Sequence, residues 1–128
     1  MRMLTIVFTI LCLIAGPAFA EPPTEAPDIT ASDLNARRIS GDAPVVIDVR
    51  TAEEFATGHI PGALNIPFDE VAERISEVDA PNGVALYCMV GPRARKGETA
   101  LLASGYVSVF HIDGGLAAWK AAGLPVEK

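Results

Sequence analysis

Short apolar runs along this chain alternate with segments whose apolar residues recur at helical spacing. The clearest run, Val45-Val46-Ile47-Asp48-Val49, is rich in β-branched residues. A run of this kind is typical of a strand that is buried on both faces of a parallel sheet. Further strands are predicted at residues 28–29, 63–66, 84–87 and 107–112.

Helices are predicted between these strands, and several have recognisable start and stop signals. Thr30 with Asp33, and Thr51 with Glu54, have the spacing of residues that cap a first helical turn. Gly105 stands where a glycine ends a helix. The predicted helices cover residues 31–39, 52–57, 68–78, 94–104 and 116–122. The alternation predicts a three-layer α/β domain with a mainly parallel sheet flanked by helices.

The first twenty residues have the pattern of an export signal. A cationic start, Met1-Arg2-Met3, is followed by a largely apolar run of eleven residues at 4–14, and Ala18-Phe19-Ala20 offers small residues for cleavage. A glycine and a proline end the run short of the roughly 20 apolar residues that a membrane-spanning helix needs. We therefore predict a cleaved signal peptide at residues 1–20, a flexible proline-rich leader at 21–27, and one domain at 28–128. The predicted location is periplasmic or secreted.

The charge of the chain narrows the choice of partners. Signal cleavage removes one charged side chain, Arg2, so the net charge of −6 becomes −7. Such an acidic protein is a poor partner for nucleic acid, and after signal cleavage for an anionic membrane surface. Any site for a small anion must therefore be made attractive locally.

Cys88 is the one thiol that remains after cleavage, because Cys12 lies in the signal. It cannot form an internal disulfide, which leaves an intermolecular bridge, an inert buried thiol or a reactive thiol. Residues 88–93, Cys-Met-Val-Gly-Pro-Arg, join a predicted strand to a predicted helix; we call them the Cys88 loop. A turn at a helix start aims backbone N–H groups inward and makes an anion cradle, and parallel sheets bind ligands at this end of their strands.

Four stretches resemble, in order and spacing, the motifs of rhodanese-type sulfurtransferases. The resemblance covers roughly residues 29–126 and implies a single rhodanese domain with a five-stranded parallel sheet. The four stretches are Val46-Ile47-Asp48-Val49-Arg50 with Glu53-Glu54-Phe55, Gly58-His59-Ile60-Pro61-Gly62-Ala63 with Asn65-Ile66-Pro67, the Cys88 loop, and Gly114-Gly115-Leu116-Ala117-Ala118-Trp119.

The resemblance implies a thiosulfate sulfurtransferase that carries sulfur as a persulfide on Cys88. The Cys88 thiolate would attack the outer sulfur of an anionic donor such as thiosulfate, release sulfite, and pass the sulfur to a thiol or to cyanide. A protein is retained as an alternative acceptor of the sulfur. Arg93 is expected to clamp the substrate. The persulfide would be held by the amides of Met89, Val90, Gly91, Arg93 and Ala94.

Other residues are given supporting or structural roles. Asp48 and Arg50 are expected to support the site, as a carboxylate that holds turn amides and an ion pair that braces the loop. His59 is interpreted as a turn residue, and His111 is considered for a role in substrate entry. No cofactor is implied, and no metal, because the histidines and the cysteine lack metal-ligand spacing. Gly97 is predicted to allow close helix approach, and Trp119 to pack in the core.

The Cys88 loop departs from its relatives at two positions. Pro92 has no N–H group, so the loop either binds its anion more weakly or is more rigid. Met89 is not basic, which leaves Arg93 with most of the local positive charge. Three alternatives stay open: a non-catalytic module that carries persulfide or binds a partner, oxyanion chemistry of the phosphatase or arsenate reductase kind, and thiol redox sensing. In the resemblance, the oxyanion loops are one residue longer.

Overall fold

A computed structural model describes residues 14–128 of the chain. Strands and helices alternate throughout that range, as the hydrophobic pattern predicts. The strands are β1 (Asp28–Ile29), β2 (Val45–Asp48), β3 (Leu64–Asn65), β4 (Val84–Tyr87) and β5 (Val109–Ile112). The helices are α1 (Ala31–Ser40), α2 (Ala52–Thr57), α3 (Val71–Arg74), α4 (Pro92–Ala103) and α5 (Gly115–Ala121), and a 3-10 turn (Ile75–Glu77) follows α3.

The five strands form one parallel sheet in the order β1-β5-β4-β2-β3. This confirms the predicted fold class. Strand β4 lies at the centre, where β2 and β5 flank it, and all four of its residues are buried. Cys88 follows the carboxyl end of β4 and therefore lies at the middle of the carboxyl end of the sheet, beside the end of β2.

A separate apolar cluster fills each side of the sheet. On one side, Leu86 of β4 packs with Leu101 of α4 and with Val71 of α3. On the other side, Tyr87 of β4 packs with residues of α1 and α5, among them Trp119, which is fully buried. The prediction that Trp119 belongs to the core is confirmed.

Both predicted threonine caps are present. The amide of Asp33 donates to Thr30 Oγ1 at 3.1 Å, and the amide of Glu54 donates to Thr51 Oγ1 at 3.2 Å. Each cap satisfies one of the N–H groups that a first helical turn leaves without a partner. Helices α1 and α2 consequently begin where the sequence predicts.

Three predicted boundaries are wrong. The helix predicted at 68–78 is only a single turn, α3, followed by the 3-10 turn. The amides of Ile66 and Phe68 donate to the carbonyls of Asp48 and Val49, which keeps this segment extended along the end of β2 and delays the helix to Val71. Strand β5 begins at Val109, two residues later than predicted. Helix α4 begins at Pro92, two residues earlier than predicted, since proline is well suited to a first helical position.

The segment that precedes β1 makes ordered contacts at its end. Ala26 is buried, and its carbonyl accepts from Arg95 Nη1 at 3.0 Å. The carbonyl of Pro27 accepts from the amide of His111 at 2.8 Å. Contacts with the domain therefore begin within the predicted leader of residues 21–27.

Most of the predicted signal peptide, residues 1–13, lies outside the described residues. Within residues 14–128, none of the helices has the length and apolar character needed to cross a membrane.

Gly97 lets α4 pack closely against the sheet and α3, as predicted. A Cβ atom at this position would lie 3.1 Å from Leu86 Cδ2 and 3.1 Å from Val71 Cγ1. Both neighbours are fully buried, so neither side chain has free space into which it could move.

We expect Gly97→Val to destabilise the domain by about 2 kcal/mol, because the added methyl groups overfill this contact. Urea unfolding measures the change. Thr99→Val is the matched control, since it places the same side chain on an exposed position of the same helix. An equal loss in both variants would contradict the close packing at Gly97.

Candidate active site

Cys88 lies directly after β4, and its side chain is enclosed by the loop that follows. The residue is 1% exposed, and its Sγ accepts a hydrogen bond from the amide of Gly91 at 3.1 Å. A backbone N–H aimed at this position can donate equally to the cysteine sulfur or to an anion bound there. The structure thus places the predicted nucleophile at the centre of the predicted loop.

Several backbone amides in the Cys88 loop and in the first turn of α4 have no protein partner among the described residues. Within residues 14–128, the amides of Met89, Val90, Arg93 and Ala94 donate no hydrogen bond to the backbone or to a side chain. Arg93 and Ala94 belong to the first turn of α4, a 12-residue helix whose N-terminus carries partial positive charge. Four of the five predicted binding amides are therefore available to an anion, while the fifth, Gly91, already donates to sulfur.

The carbonyl groups of the Cys88 loop are fixed by a different helix. The amide of Leu116 donates to the carbonyl of Cys88 at 2.9 Å, and the amide of Ala117 donates to the carbonyl of Met89 at 3.0 Å. Both donors lie in the first turn of α5, where amides lack partners inside the helix. Helix α5 thereby holds the first two peptide units of the loop.

This contact explains the glycine at the start of α5. Gly115 has φ +59°, and a Cβ atom there would lie 2.5 Å from the carbonyl oxygen of Cys88. No side chain fits at that distance, because both the loop carbonyl and the α5 backbone are held by hydrogen bonds. In the sequence, Gly114-Gly115 stands out only as part of a motif, and nothing in that motif predicts this role.

Pro92 occupies the first position of α4. The N–H group that proline lacks is one that no residue inside the helix could have accepted, and its fixed φ suits the helix start. The loop therefore has one donor fewer than a non-proline residue would give it, but its entry into the helix is fixed.

Asp48 and Arg50 form a buried ion pair beside the loop. Arg50 Nη2 lies 2.7 Å from Asp48 Oδ2, and Asp48 Oδ1 also accepts from the Arg50 amide at 3.0 Å. Arg50 Nη2 further donates to the carbonyl of Gly58 at 2.8 Å, so the pair connects β2 to the end of α2. Asn65 Nδ2 donates to the carbonyls of Asp48 and Arg50. The residues predicted as support do connect the elements around the site.

The same pair affects Tyr87, the last residue of β4. Burial, and then the charge of Asp48, raise the pKa of Tyr87 well above its ordinary value. Its hydroxyl oxygen accepts from the amide of Ile60 at 3.0 Å. Tyr87 therefore stays neutral and connects β4 to the turn after α2.

Arg93, the predicted substrate clamp, forms a two-point ion pair with Glu54 of α2. Arg93 Nη1 lies 2.6 Å from Glu54 Oε1, and Nη2 lies 3.0 Å from Oε2. The hydrogen bonds from Arg93 hold the pKa of Glu54 at about 2, well below its usual 4.5. The pKa of Arg93 is raised by those hydrogen bonds, then by the charge of Glu54 and to a smaller degree by that of Cys88.

The Glu54 partner was not predicted. The spacing from Thr51 predicts a reciprocal capping role for Glu54, but its carboxylate is directed to Arg93 and only Oε1 approaches Thr51 Oγ1, at 3.4 Å. Because Glu54 and Arg93 are 39 residues apart in the chain, local spacing carries no signal for their contact.

A second buried pair, Glu98 and His111, lies beneath the loop. His111 Nδ1 is 2.7 Å from Glu98 Oε2, and both residues are at most 5% exposed. The ring is next to Gly91, where a Cβ atom would be 3.6 Å from His111 Nε2. His111 is therefore near the active face, as predicted, but it is buried and does not line an entrance.

The described residues contain no group of three or more metal-ligating side chains. His59 is stacked on Phe55 with ring centroids 3.6 Å apart, and its Nδ1 lies 2.9 Å from the carbonyl of Phe55. It is a hydrogen-bonded turn residue, as predicted.

Comparison with known proteins shows the family of this chain. The model of the rhodanese-like domain family matches residues 30–122. A sulfurtransferase of Allochromatium vinosum is 33% identical over 99 residues, which cover 77% of this chain and 92% of that protein. An HTH-type transcriptional regulator of Mycobacterium tuberculosis is 32% identical, and the match covers 95% of this chain but 58% of the regulator.

A solved structure, the thiosulfate sulfurtransferase from Pseudomonas aeruginosa, superimposes with a TM-score of 0.72 at 29% identity. The superposition covers 80% of this chain and 20% of the other. The family match spans every strand except β1 and all five helices, and it includes the Cys88 loop. The chain therefore belongs to the rhodanese-like domain family.

Proposed function

We propose that this protein is a sulfurtransferase that takes sulfane sulfur from an anionic donor such as thiosulfate and carries it as a persulfide on Cys88. The acceptor is a thiol or cyanide. The observation that carries the proposal is the arrangement at sulfur, in which Cys88 Sγ accepts from the Gly91 amide while neighbouring loop amides have no partner in the described part of the chain. A site of this kind stabilises a sulfur anion in two states, thiolate and persulfide.

The first half-reaction is a displacement at sulfur. The Cys88 thiolate attacks the outer sulfur of thiosulfate, and a new S–S bond forms. The bond to the sulfonate sulfur breaks, and its electron pair leaves with sulfite. The charges balance, because one thiolate and one dianion give one persulfide anion and one dianion. The loop amides and the N-terminus of α4 stabilise the anion at the new outer sulfur.

The second half-reaction returns the enzyme to its first state. The acceptor thiolate or cyanide attacks the outer sulfur of the persulfide, and the electron pair of the S–S bond returns to Cys88 Sγ. Cys88 is almost fully buried, which restricts the access of water to the persulfide. Met89 and Val90, which are 38% and 59% exposed, present an apolar outer surface of the loop to the acceptor.

We also propose that the protein acts outside the cytoplasm after removal of residues 1–20. The support is the sequence pattern of a cationic start, a short apolar run and small residues at the cleavage position. A single remaining cysteine suits an oxidising compartment, since it leaves no second thiol in the chain with which Cys88 could form a disulfide.

Intact mass spectrometry tests the sulfur transfer. We expect the purified protein to gain the mass of one sulfur atom after thiosulfate, to lose it after cyanide, and to gain nothing as Cys88→Ala. Absence of any gain with thiosulfate, a thiosulfonate and an organic persulfide would refute the proposal. Hydrolysis of an aryl phosphate that disappears in Cys88→Ser would instead favour oxyanion chemistry.

Expression of the full chain in a bacterium tests the export proposal. We expect the protein in the periplasmic fraction to have a mass that begins at Glu21, because cleavage follows Ala20. Ala20→Leu is expected to leave the uncleaved precursor in the membrane fraction, since the cleavage position requires a small residue. A full-length wild-type protein in the cytoplasmic fraction would contradict the proposal.

A further inference from the structure

The positive charge available to a substrate in the Cys88 loop is smaller than the sequence suggests. Arg93 is the one basic side chain among residues 88–93 of a chain whose net charge is −6. Its guanidinium is paired with Glu54, and each side chain is about one-third exposed, at 32% and 34%. The pair stands at the surface, where a substrate can reach it, and its net charge is zero.

Glu54 occupies the part of Arg93 that an anionic substrate would use. A guanidinium binds carboxylates and other oxyanions most strongly through two parallel N–H groups. Here those two groups, on Nη1 and Nη2, already donate to the two oxygens of Glu54. A sulfonate group must either displace Glu54 or bind at the remaining N–H groups.

The position of Glu54 is fixed by the fold. It lies in the first turn of α2, where its amide donates to Thr51 Oγ1 at 3.2 Å. The other end of α2 is held by Arg50 Nη2, which donates to the carbonyl of Gly58 at 2.8 Å. Because both ends of α2 are anchored, the backbone at Glu54 stays beside Arg93, and the carboxylate stays within reach of the guanidinium.

We propose that Glu54 is a specificity-determining residue that disfavours dianionic sulfur donors and favours monoanionic donors, the class of thiosulfonates and organic persulfides. The inference rests on the proposed sulfur transfer at Cys88. A dianion such as thiosulfate is repelled by the Glu54 carboxylate and gains little from a guanidinium that is already neutralised. A monoanion experiences less of this repulsion and can rely on the backbone amides of the loop.

Two donors that differ mainly in charge make the proposal testable. Thiosulfate is a dianion, and methanethiosulfonate replaces one of its charged oxygens by a methyl group. In both, Cys88 attacks the outer sulfur, and the electron pair of the broken S–S bond leaves on sulfite or on methanesulfinate. The selectivity is the ratio of kcat/KM for methanethiosulfonate to kcat/KM for thiosulfate, measured in the full mature chain.

We expect Glu54→Gln to raise kcat/KM for thiosulfate about tenfold and that for methanethiosulfonate about twofold, because the freed guanidinium attracts the dianion more strongly. The selectivity ratio should therefore fall about fivefold. Glu53→Gln is the matched control, since it removes the same charge from an exposed neighbouring residue that forms no ion pair among the described residues. It should leave the ratio unchanged.

Further variants separate the possible outcomes. Glu54→Ala should shift the ratio in the same direction, which keeps the proposal testable if Glu54→Gln folds poorly. Glu54→Gln combined with Arg93→Gln should abolish the gain for thiosulfate, because the gain requires a free guanidinium. A lower kcat/KM for both donors in Glu54→Gln with an unchanged ratio would overturn the proposal and show that Glu54 only holds Arg93 in position.

The proposed function and this inference fail in different ways. If no donor loads sulfur onto wild-type Cys88, the sulfurtransferase proposal is wrong. If both donors load Cys88 and neither Glu54 variant changes their ratio, sulfur transfer stands and the role of Glu54 in donor choice is refuted.

Discussion

The site depends on two hydrogen bonds between the Cys88 loop and the first turn of α5. The amides of Leu116 and Ala117 bind the carbonyls of Cys88 and Met89 at 2.9 and 3.0 Å. A peptide unit directs its C=O and N–H groups in opposite directions. Carbonyls that are held against α5 therefore turn the following amides away from it, and those amides have no partner among the described residues. The close approach also requires glycine at position 115, so the motif at the start of α5 shapes the Cys88 loop through its backbone.

The buried Asp48–Arg50 pair orders the other side of the site. A buried ion pair is costly to desolvate and is retained where additional hydrogen bonds satisfy both charges. Arg50 meets that condition through the carbonyl of Gly58, and Asp48 through the backbone amide of Arg50. These bonds join the end of β2 to the end of α2. These hydrogen bonds also place Glu54 against Arg93. The Asp48–Arg50 pair fixes the end of α2, and α2 carries Glu54.

The features that could be predicted from the sequence are those that depend on the type and spacing of residues close together in the chain. The buried run before Cys88, the caps at Thr30 and Thr51, and the close approach at Gly97 all follow from residue type and spacing. The helix predicted at 68–78 is wrong because hydrogen bonds to Asp48 and Val49 hold residues 66–68 along the end of β2, and a periodic pattern carries no signal for bonds to another segment. The position of Cys88 could be predicted because the carboxyl ends of parallel strands all lie at the same end of the sheet.

Contacts between polar side chains that lie far apart in the sequence were the main feature that could not be predicted. Arg93 looks like a free clamp in the loop motif, yet Glu54, 39 residues earlier, neutralises it. Glu98 and His111 lie on different elements and form a buried pair below Gly91. Because Glu54 neutralises Arg93, an anion at this site is attracted by backbone N–H groups more than by side-chain charge. Backbone donors have fixed positions and do not titrate, so in an acidic protein they would hold the proposed persulfide without requiring a basic surface that would attract unrelated anions.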